Sequence, residues 1–151
     1  MSKVQNPKSK VQNYACWLLA RRDYSAKELL EKFKFKFKLE EKIFKEVLEK
    51  LQGLGLQSDA RFVENFILSH FHWGRQRLIF ELQKKGIIAE LIQQNLPTRS
   101  AEIQRCKEVL QIKLRCKSMP NEYIAKQKLF AFLARRGFEL EIIKESLKSE
   151  V

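Results

Sequence analysis

Leu78-Ile79-Phe80-Glu81-Leu82-Gln83-Lys84-Lys85-Gly86-Ile87 is echoed by Leu129-Phe130-Ala131-Phe132-Leu133-Ala134-Arg135-Arg136-Gly137-Phe138. The offset is 51 residues and it holds further on, where Glu90, Leu91, Ile92 and Leu96 fall on Glu141, Ile142, Ile143 and Leu147. A fainter copy lies 49 residues upstream, with Tyr24, Leu29, Leu30 and Phe33 falling on Trp73, Leu78, Ile79 and Leu82. Self-similarity at a fixed spacing means stacked supersecondary units, each too small to bury its apolar flanks alone. Such a chain more often offers an extended surface than a pocket, which points to a binding protein.

Working outward, the apolar periodicity is helical almost throughout, and no strand is expected. Residues 1–10 read as a disordered basic arm. The first repeat, 11–57, opens with a helix over 11–21 that carries Tyr14, Trp17 and Leu18 at helical spacing. Ser25 and Glu28 then form a capping box, which satisfies two otherwise orphan N–H groups. The next helix turns Leu29, Leu30 and Phe33 inward, and a third, over 40–51, is stopped by Gly53 and Gly55. The second repeat, 58–97, starts at Ser58, with Phe62, Val63, Phe66, Ile67 and Phe71 as its inward stripe. Gly86 closes its second helix and Pro97 ends its third. The third repeat, 98–151, has helices over 99–116, up to Arg136 (closed by Gly137), and over 139–148, with Pro120 in the first break.

The stretch Phe33-Lys34-Phe35-Lys36-Phe37-Lys38 alternates strictly, which is a strand pattern. It also reads as a basic-aromatic nucleic-acid contact. Its place in the tandem order favours a helix end running into a turn. Phe37 sits where Gly86 and Gly137 sit, and a left-handed residue with a β-carbon costs about 1–2 kcal/mol. A different turn is therefore expected here.

Thirty Lys and Arg against 18 Asp and Glu leave a net charge of +12. That excess attracts polyanions or an acidic protein face without choosing between them. No secretory signal is read in residues 1–10, and no uncharged run approaches the ~18 residues that span a bilayer. Cys16, Cys106 and Cys116 are odd in number and lack a Cys-x-x-Cys pair. The chain is read as cytosolic with reduced thiols. Cys106 and Cys116 stand roughly 15 Å apart along a helix, too far to bond.

Nothing supports an enzyme. His70 and His72, two positions apart on a helix, should face opposite ways and share no metal. There is no Gly-rich phosphate loop and no elbow serine. No catalytic residue, cofactor or small-molecule substrate is expected. The basic pairs Arg21 and Arg22, Lys84 and Lys85, Arg135 and Arg136 sit at helix ends, where cations offset the helix dipole by ~0.3–1 kcal/mol. Alternatively, the equivalent pairs at 84 and 135, with Arg75 and Arg77 nearby, form a repeated cationic stripe. Tyr24 and Trp73 read either as hydrophobic staples at helix starts or as exposed anchors for a partner.

Three stretches carry a family resemblance. Ala20-Arg21-Arg22-Asp23-Tyr24-Ser25-Ala26-Lys27-Glu28-Leu29-Leu30 resembles the opening signature of the RecX family. Gly53-Leu54-Gly55-Leu56-Gln57-Ser58-Asp59-Ala60-Arg61-Phe62 is similar to the junction between that family's first two units. Gly74-Arg75-Gln76-Arg77-Leu78-Ile79-Phe80-Glu81-Leu82-Gln83-Lys84-Lys85-Gly86-Ile87 is similar to its most distinctive stretch. The resemblance covers about residues 11–148 and is weakest over 97–122. It implies an all-α fold of three tandem three-helix repeats forming an elongated, curved molecule. It implies a bacterial regulator that lies in the groove of the RecA recombinase filament on single-stranded DNA and dampens strand exchange, ATP hydrolysis and co-protease activity; separately, no long heptad seam argues for a coiled-coil dimer, and a monomer is expected. The contacts are expected on Arg21, Arg22, Tyr24, Arg61, Trp73, Arg75, Arg77, Lys84, Lys85, Arg135 and Arg136, with no membrane partner. The alternative is a helical repeat protein that binds nucleic acid without regard to sequence. In departure from the family pattern, Phe35-Lys36-Phe37 replaces the Lys-Gly turn of the first repeat, and the N-terminal arm is short.

Overall fold

A computed structural model describes residues 6–116 and 122–148, with 116 and 122–124 in backbone only. Among the described residues there are nine helices and no strand. Repeat one comprises α1 (Pro7–Leu19), α2 (Ala26–Lys36) and α3 (Glu41–Gly53). Repeat two comprises α4 (Asp59–Ser69), α5 (Arg75–Lys84) and α6 (Ala89–Asn95). Repeat three comprises α7 (Arg99–Cys116), α8 (Glu122–Arg135) and α9 (Leu140–Lys148). The chain divides into two compact units, and the cut runs through the middle repeat. One holds Met1–Asn65 with Gln83–Leu91, the other Phe66–Leu82 with Ile92–Val151.

The first unit's core joins Val11, Ala15 and Leu18 of α1, Leu29 and Phe33 of α2, and Phe44, Val47, Leu48 and Leu51 of α3. Phe33 and Phe44 meet with ring centroids 5.8 Å apart. Burying a side chain of this size contributes roughly 1.5–3 kcal/mol. In the second unit α9 lies along α7 and α8. Its core joins Cys106, Val109 and Leu110, Leu129 and Leu133, and Phe138, Ile142 and Ile143. Burial pushes the Cys106 thiol above its ordinary value, against a hydrogen bond with Ser146.

The structure corrects the sequence reading of the N-terminal arm and of Phe71, and it settles the face of Trp17. Residues 7–10 belong to a helix rather than a disordered arm, while residues 1–5 of that arm lie outside the described residues. Pro7 at the first helical position needs no amide partner, and Asn6 caps the helix by accepting from the Lys8 N–H at 3.1 Å. Trp17 is 56% exposed, because the buried stripe of α1 runs through Val11, Ala15 and Leu18. Phe71 is exposed because α4 stops at Ser69 and the helical phase no longer applies. The break expected at Pro120 lies outside the described residues.

The 33–38 segment ends a helix, as expected from its tandem place. Phe33 is buried, Phe35 is 94% exposed, and Phe37 leaves the helix extended at φ −118°. Its counterparts Gly86 and Gly137 turn left-handed at φ +78° and +94°. After α3 the left-handed residue is Gly55 (φ +73°), while Gly53 is still helical.

Candidate functional site

Most of the expected contact residues cluster around the starts of α2 and α5, where the chain has orphan N–H groups to satisfy. In the first unit Ser25 is the N-cap of α2. Its hydroxyl accepts from the Glu28 N–H at 3.2 Å and the Glu28 carboxylate accepts from the Ser25 N–H at 3.1 Å. The same hydroxyl donates to the Lys85 carbonyl at 2.7 Å. The Ala26 N–H donates to Asp59 Oδ1 at 2.9 Å, and Lys27 Nζ donates to the Lys84 carbonyl at 3.2 Å. The last turn of α5 is thus seated on the first turn of α2.

The second unit repeats this joint with other atoms. Gly74 stands at the position of Ser25, and its N–H donates to the Arg136 carbonyl at 2.7 Å. The Gln76 N–H donates to the Gly137 carbonyl at 3.1 Å. The Arg75 N–H donates to Glu102 Oε1 at 2.7 Å, as Ala26 donates to Asp59. A β-carbon at Gly74 would collide with the backbone of Gly137 and Phe138, so the two chains approach as closely as glycine allows.

Most of the expected cations are engaged at these joints. Glu28 Oε2 accepts from Arg22 at 3.2 Å and from Lys85 at 3.1 Å. Burial raises the Glu28 carboxyl, but the Ser25 N–H, Arg22 and Lys85 outweigh it and hold it below its ordinary value. The Arg22 guanidinium covers the Tyr24 ring at 3.6 Å. Tyr24 itself is only 8% exposed and belongs to the same core cluster as Leu29, the position a staple at this helix start would meet. Arg61 pairs with Asp23 at 3.3 Å and donates to the carbonyls of Gly55 and Leu56, so it closes the turn after α3. Arg21 lies 4.8 Å over Trp17. Lys84 is exposed at the end of α5.

In the second unit Trp73 is half-buried and stacks on His70 at 4.2 Å, while Arg77 covers it at 4.3 Å. Arg136 lies 5.1 Å from the Phe132 ring, Arg75 donates to Gln93, and Arg135 is exposed. The His70 and His72 rings are 6.1 Å apart rather than on opposite faces, because α4 has already ended and residues 70–72 form a turn. Burial, then the charges of Arg136, His70, Arg77 and Arg105, hold His72 below its ordinary value. Among the described residues no group of three or more His, Cys, Asp or Glu is placed to hold a metal. No helix among them is long and apolar enough to cross a membrane.

Sequence reasoning passed over Asp59, Glu102 and Arg105. Arg105 donates to the carbonyls of His70 and Trp73 at 2.9 and 3.1 Å and fixes the turn before α5. Glu102 is buried, and burial pushes its carboxyl up, against the Arg75 N–H and the Arg105 charge. The available signal was positional, an acid early in the first helix of repeats two and three.

Comparison with known proteins agrees with this architecture. A family model described as RecX, second three-helix domain, matches residues 58–96, and one described as RecX, third three-helix domain, matches residues 100–147. The chain is 33% identical over 133 residues to the Regulatory protein RecX of Chlorobium phaeobacteroides, covering 86% of each. It is 36% identical over 135 residues to that of Legionella pneumophila, covering 87% of this chain and 88% of the relative. The crystal structure of RecX from Lactobacillus salivarius superposes with a TM-score of 0.81 over 94% of this chain and 95% of that one, at 21% identity, a likeness of fold.

Proposed function

This chain belongs to the RecX family, and from that footing we propose that it is a regulator without enzymatic activity that binds the RecA–single-stranded DNA filament. It lowers the filament's recombinase, ATPase and co-protease activities, and it acts in the cytoplasm as a monomer. The observation that carries this reading is the recurring joint. Each joint presents an arginine stacked on an aromatic ring, Arg22 on Tyr24 and Arg77 on Trp73, beside the basic end of the following repeat's second helix. A cationic motif that recurs along the sequence suits a partner that itself repeats, and weak contacts to successive protomers add through effective concentration. The net charge of +12 favours acidic protomer faces and bound DNA.

Of the expected contact residues, Lys84 and Arg135 are exposed at helix ends. Arg135 is a position where charge reversal tests binding at small cost to the fold.

A second reading, sequence-independent binding to nucleic acid alone, is favoured by the same charge. One measurement separates the two: ATP hydrolysis by RecA on single-stranded DNA, with this protein substoichiometric. A strong drop supports filament binding. A drop only when the DNA is saturated supports simple competition and would overturn the first reading.

A further inference from the structure

None of the hydrogen bonds that make the joints involves the alternating segment 33–38. With the middle of α1, its end lines an open groove of Lys10, Asn13, Tyr14, Trp17, Lys36 and Phe37. The Tyr14 and Trp17 rings lie stacked with centroids 6.3 Å apart and 18° between planes. Phe37 meets Tyr14 edge-on at 5.7 Å and braces it. Lys36 Nζ stands 4.3 Å from the Tyr14 ring and the Arg21 guanidinium 4.8 Å from that of Trp17. The neighbouring Lys8 and Lys34 are matched by Glu46 and Glu41. The groove's own lining carries two lysines and no carboxylate.

We propose that this groove seats an unpaired base of a single-stranded nucleic acid on Trp17, with the adjoining phosphates held by Lys10 and Lys36. The aromatic planes select the ligand class. A single strand offers free base faces as well as charge, and stacking on aromatics tolerates any base. A duplex has its faces already stacked, and an acidic peptide supplies charge without a flat face. Charge complementarity does the rest, since lysines without carboxylate neighbours release counterions when they meet phosphates. The proposal deepens the polyanion side of the function above. Its test contains no recombinase, so either idea can fail while the other stands.

The test uses the full chain with Trp73→Phe, which leaves Trp17 as the only tryptophan. A twelve-nucleotide oligothymidylate should quench Trp17 emission to saturation at low salt. An abasic strand of equal length, a duplex and polyglutamate should quench it far less. In the otherwise unchanged chain, Trp17→Ala should weaken oligothymidylate binding about tenfold by fluorescence anisotropy. Lys36→Gln should weaken it too and lower the logarithmic salt slope by about 0.7. Absence of quenching, equal binding of the abasic strand or of polyglutamate, or wild-type affinity in both variants would each overturn the proposal. Trp17 lies outside the buried stripe, and the emission titration stands even if Trp17→Ala loses helicity.

Discussion

The Ser25 hydroxyl donates to the Lys85 carbonyl oxygen at 2.7 Å, across 60 positions of sequence, while accepting from the Glu28 N–H three residues ahead. One side chain thus caps its own helix and receives the end of a helix from the next repeat. Lys85 returns along the same path, because its ammonium reaches Glu28, the other half of the capping box. A local helix-start motif has become a joint.

Ser25→Ala removes the cap acceptor and the donor to Lys85 together. A lost cap costs about 0.5–2 kcal/mol, and the Lys85 carbonyl loses a partner in a part-buried place. Urea unfolding should show a loss of at least that cap value, with unchanged helical content at 25 °C.

Glu28→Gln should destabilise most near neutral pH. The carboxyl lies below its ordinary value in the folded chain, so its contribution is present above the unfolded value of 4.5 and fades as pH falls through the lower native one. The difference between wild type and Glu28→Gln in denaturation midpoints should therefore hold above pH 4.5 and shrink as the pH falls below it. A gap that widens in acid would contradict the assignment.

Two glycines separate backbone need from mere helix ending. Gly137 is left-handed, and a β-carbon there meets the backbone and Cβ of Arg77, so Gly137→Ala should cost more than the ~1–2 kcal/mol of left-handed strain alone. Gly53 is helical with open space around it, and Gly53→Ala should stabilise by about 0.5–1 kcal/mol. Thermal melts of the two variants give the comparison directly.

Charge reversal should divide the basic residues. Lys85→Glu sets a second carboxylate against Glu28 and should lower stability by more than about 1 kcal/mol. Arg135→Glu, at an exposed helix end, should cost less than Lys85→Glu, on the order of the ~0.3–1 kcal/mol dipole interaction that it reverses. On the proposed function it should still weaken inhibition of RecA ATP hydrolysis. Full inhibition by an intact Arg135→Glu protein would remove Arg135 from the contact surface.

What could be read beforehand was whatever the chain decides locally. Ser25 and Glu28 announce their helix start at three-residue spacing, and Gly86 and Gly137 mark left-handed turns that Phe37 cannot adopt. Helical spacing put Trp17 on the first helix without fixing its face, and the phase set by Val11, Ala15 and Leu18 turns it outward. His70 and His72 were given helical geometry past the point where α4 ends. Lys85 looked like a free surface cation because its partner is 57 positions away. No periodicity encodes a contact between repeats, and the same holds for Asp59 with Ala26 and Glu102 with Arg75.

The pairing of Asp59 with Ala26 and of Glu102 with Arg75 bears on how such a chain can change in length. Twenty-six positions separate Asp59 from Lys85, and thirty-four separate Glu102 from Arg136, yet both spans fasten to their preceding helix through the same two ends. Insertions and deletions between those fastenings leave the attachment intact. Relatives should therefore vary in length within the span, and a loss of either fastening should be rarer than any change in what lies between.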